Sequence, residues 1–305
     1  STDETAALIL QAKQEHQNIF LYQQKNQYAG IARNHGLEKA KGKYVIFLDP
    51  DDFFEPDLLE KACGHAIRYD AEITLFSADV YHHRENRFTS PKWLRFPSTL
   101  PKNRTFSPVE MGEKAVYSLN PWTKLYRRGF VLEKGLLYQG TYSSNDVHFA
   151  MMALAQSKRI IAFDEVLVHY RVNTGTSLQN TKSKHPKDIY DAFFLTKREL
   201  EKQQQFATFQ LPFVNKGVEA MLGQIDTLKE MAAKKAFYSF MQQEGFEQLE
   251  LDGYRIEDFT QEESQQRYRK YLYLRDLPWD DYQQILLSQK KEEEKSCKQR
   301  GKIDR

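Results

Sequence analysis

Lys43-Tyr44-Val45-Ile46-Phe47-Leu48-Asp49-Pro50-Asp51-Asp52 is the stretch on which the reading of this chain turns. Residues 44–48 form an unbroken apolar, aromatic and β-branched run, the pattern of a strand buried on both faces. Proline cannot continue a central strand, so the chain must leave the sheet where the acids begin. Ligands of open α/β sheets gather beyond the carboxyl ends of strands, and this is such an end. Asp49, Asp51 and Asp52 repel one another unless a cation, or donors from a ligand, share their charge. Hard divalent cations take oxygen ligands, typically one or two carboxylates together with substrate phosphates. One reading is therefore a metal–phosphate site. The other is an acidic turn that caps a helix starting near Pro56.

The flanking residues favour the first reading. Ala32-Arg33-Asn34-His35-Gly36 lies upstream, Ala40-Lys41-Gly42-Lys43 leads into the strand, and Pro56 closes the run. In this order and register the stretch resembles family 2 glycosyltransferases of the GT-A fold, whose DXD motif would fall on Asp49 and Asp51. The resemblance implies an α/β chain: a GT-A-like, Rossmann-type mixed sheet flanked by helices, with an α-helical C-terminal extension. It implies a nucleotide-diphosphate sugar donor, a UDP-sugar foremost, and a saccharide or lipid-linked acceptor, in the synthesis of bacterial surface polysaccharide or glycoconjugate. It further implies Mg²⁺ or Mn²⁺ held chiefly by Asp51, Asp49 on the nucleotide ribose or in the metal shell, and Arg33 on the nucleotide or phosphate. The location it implies is cytoplasmic, with peripheral association at the inner face of the membrane. In that family a Ser-Thr-Asp such as Ser1-Thr2-Asp3 follows the second strand of the nucleotide-binding half. The resemblance thus implies a longer protein whose first strands precede Ser1.

Composition sets the outer bounds. The 305 residues are 40% hydrophobic and 28% charged, an ordinary globular balance, and 17 Tyr with 20 Phe suffice for a sizeable core. A net charge of +2 gives no reason to invoke nucleic acid. Cys63 and Cys297 sit in no metal-ligand spacing and suit a reducing compartment. No apolar run approaches the roughly 18–20 residues that span a bilayer.

Taken in order, the chain opens with a helix capped near Ser1-Thr2-Asp3, a short strand at 18–22 and a second helix over 29–40 ended by Gly42. An amphipathic helix over 56–69 and a buried strand over 71–76 follow. His82-His83 reads as surface histidine, because adjacent side chains on an extended segment point to opposite faces. Residues 84–108 read as a long basic loop able to cover a substrate. In Asn120-Pro121-Trp122-Thr123-Lys124, Trp122 offers a stacking face for a sugar ring on the acceptor side and Lys124 a charge for a donor phosphate. The alternative is a Trp122 that anchors the turn to the core, with Lys124 solvated. Family 2 members carry a similar Trp-x-Lys-Leu segment.

Ser143-Ser144-Asn145-Asp146 leads into a helix running through Leu154, with His148 on its surface. An Asp in a first helical turn commonly only complements the dipole. The resemblance gives it more: this position, usually acid-Asp and here Asn145-Asp146, holds the catalytic base on the acceptor side. The helix dipole would keep Asp146 ionised. Strands at 159–163 and 166–171 follow, the second containing His169 as a core residue, and then a Gly/Ser/Thr loop at 172–179. From Asp188 the pattern turns to helices, one with 3.6-residue periodicity from Val214 to Leu228 and one ended at Gly245. The expected division is a catalytic domain at 1–180, a helical extension at 181–290 and a charged, disordered tail at 291–305. Two rival readings stand beside the transferase: a haloacid-dehalogenase-type phosphatase with Asp49 as nucleophile, and a non-catalytic nucleotide-sugar-binding or scaffold module.

Overall fold

The computed structural model describes residues 3–96, 100–114, 119–172 and 182–288. Ser1-Thr2, the 173–179 part of the Gly/Ser/Thr loop, Cys297 and the 291–305 tail lie outside the described residues.

The sheet has strands β1 (Tyr44–Ile46), β2 (Phe53–Phe54), β3 (Ile73–His82), β4 (Arg87–Thr89), β5 (Lys124–Arg127) and β6 (Ile160–Val172). Its order is β1-β5-β3-β6-β2, with β4 paired to β3 off that path. It is mixed: β3 and β6 run parallel, and the other pairs are antiparallel. The period-2 pattern divides its side chains between two layers. Val45, Phe47, Ile73 and Leu75 enter the larger core, while Phe76, Ala78 and Val80 enter the smaller one, covered by α3 (Leu58–Arg68) through Leu58, Ala62 and Ala66. The apolar run at 44–48 therefore meets both layers, as its sequence requires.

The larger core continues without a break from the sheet into the helices. It takes in α5 (Val147–Gln156), α6 (Asp188–Lys202), α7 (Phe206–Thr227), α8 (Met231–Phe240) and α10 (Glu262–Arg275). Among the described residues no strand lies beyond 172. The helix before β1 is α2 (Tyr28–Lys39), and α4 (Arg128–Glu133) follows β5 directly.

Several local expectations are corrected. Residues 19–27 form no strand, because no neighbouring strand supplies hydrogen-bond partners, and Phe20 and Tyr22 face solvent. The preceding α1 (Thr5–Glu15) buries no residue, although Asp3 Oδ1 accepts hydrogen bonds from the Thr5 amide and hydroxyl at its start. The two strands expected after α5 are one, β6. Its register against β3 shifts around Ser77, so Asp164 and Glu165 bulge without ending the strand. Asp164 Oδ1 accepts from Ser77 Oγ at 2.6 Å, which holds that bulge. The basic stretch after His83 is not one open loop: β4 returns as a hairpin on β3, and Leu94 is buried. Gly245 does not end a helix. Met241–Gly245 is a π-helical turn that carries the chain on into α9 (Phe246–Gln248).

Candidate active site

The acidic turn leaves β1 and returns as β2, and β6 fastens it. The Arg171 amide donates to Asp52 Oδ1 at 2.9 Å, Phe53 pairs with His169 in the ladder, and the Glu55 amide donates to Leu167 O at 3.0 Å. His169 is wedged between two carboxylates, with Nδ1 2.7 Å from Asp79 Oδ1 and Nε2 3.0 Å from Glu55 Oε1. It is a core histidine, as its place in a strand suggests. The turn presents its three acids differently. Asp49 is half-buried and Asp51 exposed. Asp52 is half-buried with one oxygen, Oδ2, lacking a partner; burial pushes its pKa up to about 7, and Asp51 and Asp49 add to the rise.

Across from the turn, Asp146 is the N-cap of α5, and its side chain makes no capping hydrogen bond. Burial raises its pKa, with Arg33 and Lys124 opposing that rise and Asp49 adding to it. Burial thus outweighs the dipole that was expected to keep it ionised. Arg33 joins the two sides. Its Nη2 lies 2.5 Å from Asp49 Oδ1, its Nη1 donates to Asn145 Oδ1 at 2.8 Å, and its guanidinium lies over the Tyr138 ring at 5.3 Å. Asp49, Arg33, Asn145 and Asp146 therefore form one constellation, with Asp51 extending it towards solvent.

Residues 1–131 match the profile described as "Glycosyl transferase family 2". The chain is 24% identical over 176 residues to a putative glycosyltransferase, EpsH, of Bacillus subtilis, which spans 53% of this chain and 46% of that protein. It is 22% identical over 167 residues to the poly(ribitol-phosphate) β-N-acetylglucosaminyltransferase TarS of Staphylococcus aureus, spanning 54% of this chain and 27% of that one. The chain thus matches about half or less of the length of these relatives. The crystal structure of S. aureus TarS 1–349 in complex with UDP superposes with a TM-score of 0.60 over 88% of this chain and 77% of that one, at 18% identity. The first 131 residues thus match the family 2 glycosyltransferase model, and the likeness to the TarS structure shows a GT-A-like fold.

Within this GT-A-like fold, two expected ligand-facing side chains lie elsewhere. Trp122 is 7% exposed and stacks on Tyr170 at 5.7 Å, so it anchors its turn in the smaller core. Lys124 is neither solvated nor open to a phosphate: it is 0% exposed, and its Nζ donates to the Asn120 carbonyl. Burial lowers its pKa to about 7, against the pull of Asp146. β5 is an interior strand between β1 and β3, and that placement encloses the lysine. His148 is half-buried rather than on the surface. Its Nδ1 lies 3.1 Å from Thr196 Oγ1, and burial lowers its pKa to about 4. α6 packs over the α5 face expected to meet water.

Sequence reasoning passed over Gly30, Asn34 and Asp52. Asn34 and Asp52 lie inside the quoted motifs, but their partners, Tyr138 and Arg171, are far along the chain. Among the described residues no three His, Cys, Asp or Glu side chains form a ready metal cage, and no helix is long and apolar enough to cross a membrane.

Proposed function

We propose that this chain carries the catalytic part of an inverting glycosyltransferase. It would move a sugar from a nucleotide-diphosphate donor, a UDP-sugar, to a hydroxyl of a saccharide or polyol-phosphate acceptor in bacterial surface-polymer synthesis. The observation that carries the reading is the Arg33 bridge, which joins the acidic turn to the loop bearing Asp146. UDP follows from the complex of the structural neighbour. The polyol-phosphate option follows from the printed activity of TarS.

Asp146 is the general base. Its carboxylate takes the proton of the acceptor hydroxyl as that oxygen bonds to the anomeric carbon and the bond to the diphosphate breaks, on opposite faces of the sugar. A pKa raised by burial makes this carboxylate a stronger base than a solvated aspartate, provided it is ionised when the acceptor binds. Arg33 and Lys124 favour that ionised form. Asn145 holds the loop against Arg33. Lys124 acts as a buried neighbour of the base, and Trp122 shapes the acceptor side by fixing the turn before β5.

A divalent cation, Mg²⁺ or Mn²⁺, fits the acidic turn. Exposed Asp51 and half-buried Asp49 offer hard oxygen donors, and a cation held there would favour the ionised form of the neighbouring Asp52. The lack of a three-ligand protein cage suits a cation completed by diphosphate oxygens. Bound there, the cation would neutralise charge on the departing diphosphate. A phosphatase would need Asp49 as nucleophile, and its pairing with Arg33 argues against that.

The test is calorimetric titration of UDP and UDP-sugars with and without Mn²⁺, coupled to an assay of UDP release. Metal-dependent binding and donor turnover are expected. Absence of binding, both here and in a version extended upstream of Ser1, would leave the scaffold reading.

A further inference from the structure

Helix α2 turns Gly30, Arg33, Asn34 and Leu37 to one side, the i, i+3, i+4, i+7 face of a helix. Its partner is the irregular segment 136–146, which belongs to no strand yet ends at Asp146. Asn34 gives this segment what a neighbouring strand would. Its Nδ2 donates to Tyr138 O at 2.9 Å, and the Tyr138 amide donates to Asn34 Oδ1 at 2.9 Å. Tyr138 is 3% exposed, so without the carboxamide a buried N–H and a buried carbonyl would lose their partner. The next amide, Gln139 N, donates to Asn145 O at 3.0 Å and closes the segment on itself. The helix approaches so closely that a Cβ on Gly30 would lie 1.9 Å from Gln139 O and 3.1 Å from Asn145 Cβ. Arg33 then takes the Asn145 side chain and ties it to Asp49.

We propose that Asn34 is a positioning residue for the base: its carboxamide sets residues 138–139, these set Asn145, and Asn145 sets the direction in which Asp146 meets the acceptor. This rests on the reading of Asp146 as the base. Asn34 touches neither donor nor acceptor in this scheme and acts only through the loop. Its signature is therefore turnover lost while donor affinity is kept. A displacement of about 1 Å in a reacting group lowers rate by about 10²-fold, whereas the acidic turn is held chiefly by β6, so ground-state binding there is affected far less.

Asn34→Ala removes both hydrogen bonds. Asn34→Asp keeps the acceptor for the Tyr138 amide and loses the donor. Amide exchange in the full chain reads the geometry without any need for activity. In the alanine variant the Tyr138 and Gln139 amides should exchange about tenfold faster or more, while the aspartate variant keeps Tyr138 close to wild type. UDP release from UDP-N-acetylglucosamine should fall about 10–100-fold in kcat for the alanine variant, with UDP affinity in the presence of Mn²⁺ held within about twofold. Exchange at Gln139 unchanged in a folded alanine variant would overturn the proposal, as would UDP affinity falling in step with turnover. Should the alanine variant not fold, the aspartate variant decides: faster exchange at Gln139 with UDP affinity kept supports the proposal, and unchanged exchange at Gln139 overturns it. If the wild type releases no UDP from any donor, the assignment of the base fails, and the exchange data still decide whether Asn34 holds the loop.

Discussion

Asp51 and Asp146 are the same residue type on the two sides of Arg33, in opposite surroundings. Asp51 stands exposed at the tip of a turn that the backbone of β6 holds from behind. Asp146 is half-buried at the N-cap position of α5, where loss of water raises its pKa against the pull of Arg33 and Lys124. A solvent-facing carboxylate offers its lone pairs to a cation; one drawn out of water holds a proton more tightly. Two environments thus give one side chain two chemistries.

The sharpest way to break this comparison is Asp146→Asn. It should lower turnover about 10²–10⁴-fold and leave UDP affinity unchanged, measured by UDP release beside calorimetry. Equal loss of binding and turnover would mean that the two aspartates do not divide the work. Asp51→Asn should act the other way and abolish the Mn²⁺-dependent part of UDP binding. That loss should exceed the roughly 10–100-fold typical of removing an outer-shell partner of a metal. Unchanged Mn²⁺ dependence would move the cation away from Asp51.

Gly30→Ala tests whether the two sides are held at a fixed spacing. A methyl group directed at Gln139 O must push the 136–146 segment away from α2, and thermal or urea unfolding should show about 1–3 kcal/mol of destabilisation. A silent substitution would mean that the spacing is slack.

The last test concerns Lys124, the buried amine near Asp146. Its folded pKa of about 7 lies below its ordinary 10.5, so between these values the unfolded chain binds a proton that the folded chain does not. Stability from this group is present above pH 10.5 and is lost as pH falls towards 7. Lys124→Met should flatten that slope in urea melts across the window. The same slope in wild type and variant would show that Lys124 stays charged when buried, in which case it holds Asp146 ionised more strongly.

Much of the acidic-turn side was legible because its signals are local. An apolar run, a proline and three acids follow one another, and each constrains its neighbour's backbone. The helix before it and the periodic helices after Asp188 were legible for the same reason. The strand expected at 18–22 was not, since a strand exists only with a partner and none lies beside it. Nor was the surroundings of Lys124: nothing in Trp122-Thr123-Lys124 says that β5 lies between two other strands.

From sequence alone, the α/β class and the carboxylates at the end of β1 were determined, because turn chemistry and hydrophobic period act over a few residues; the likeness to family 2 glycosyltransferases came from the order and register of the motifs around them. Only the tertiary structure decided which side chains those carboxylates answer to. Arg33 reaches Asn145 across 112 residues of chain, and Asn34 reaches Tyr138 across 104. Burial, and with it the protonation of Asp146, Lys124 and His148, is set by what packs around a group, and that is known only when distant segments meet.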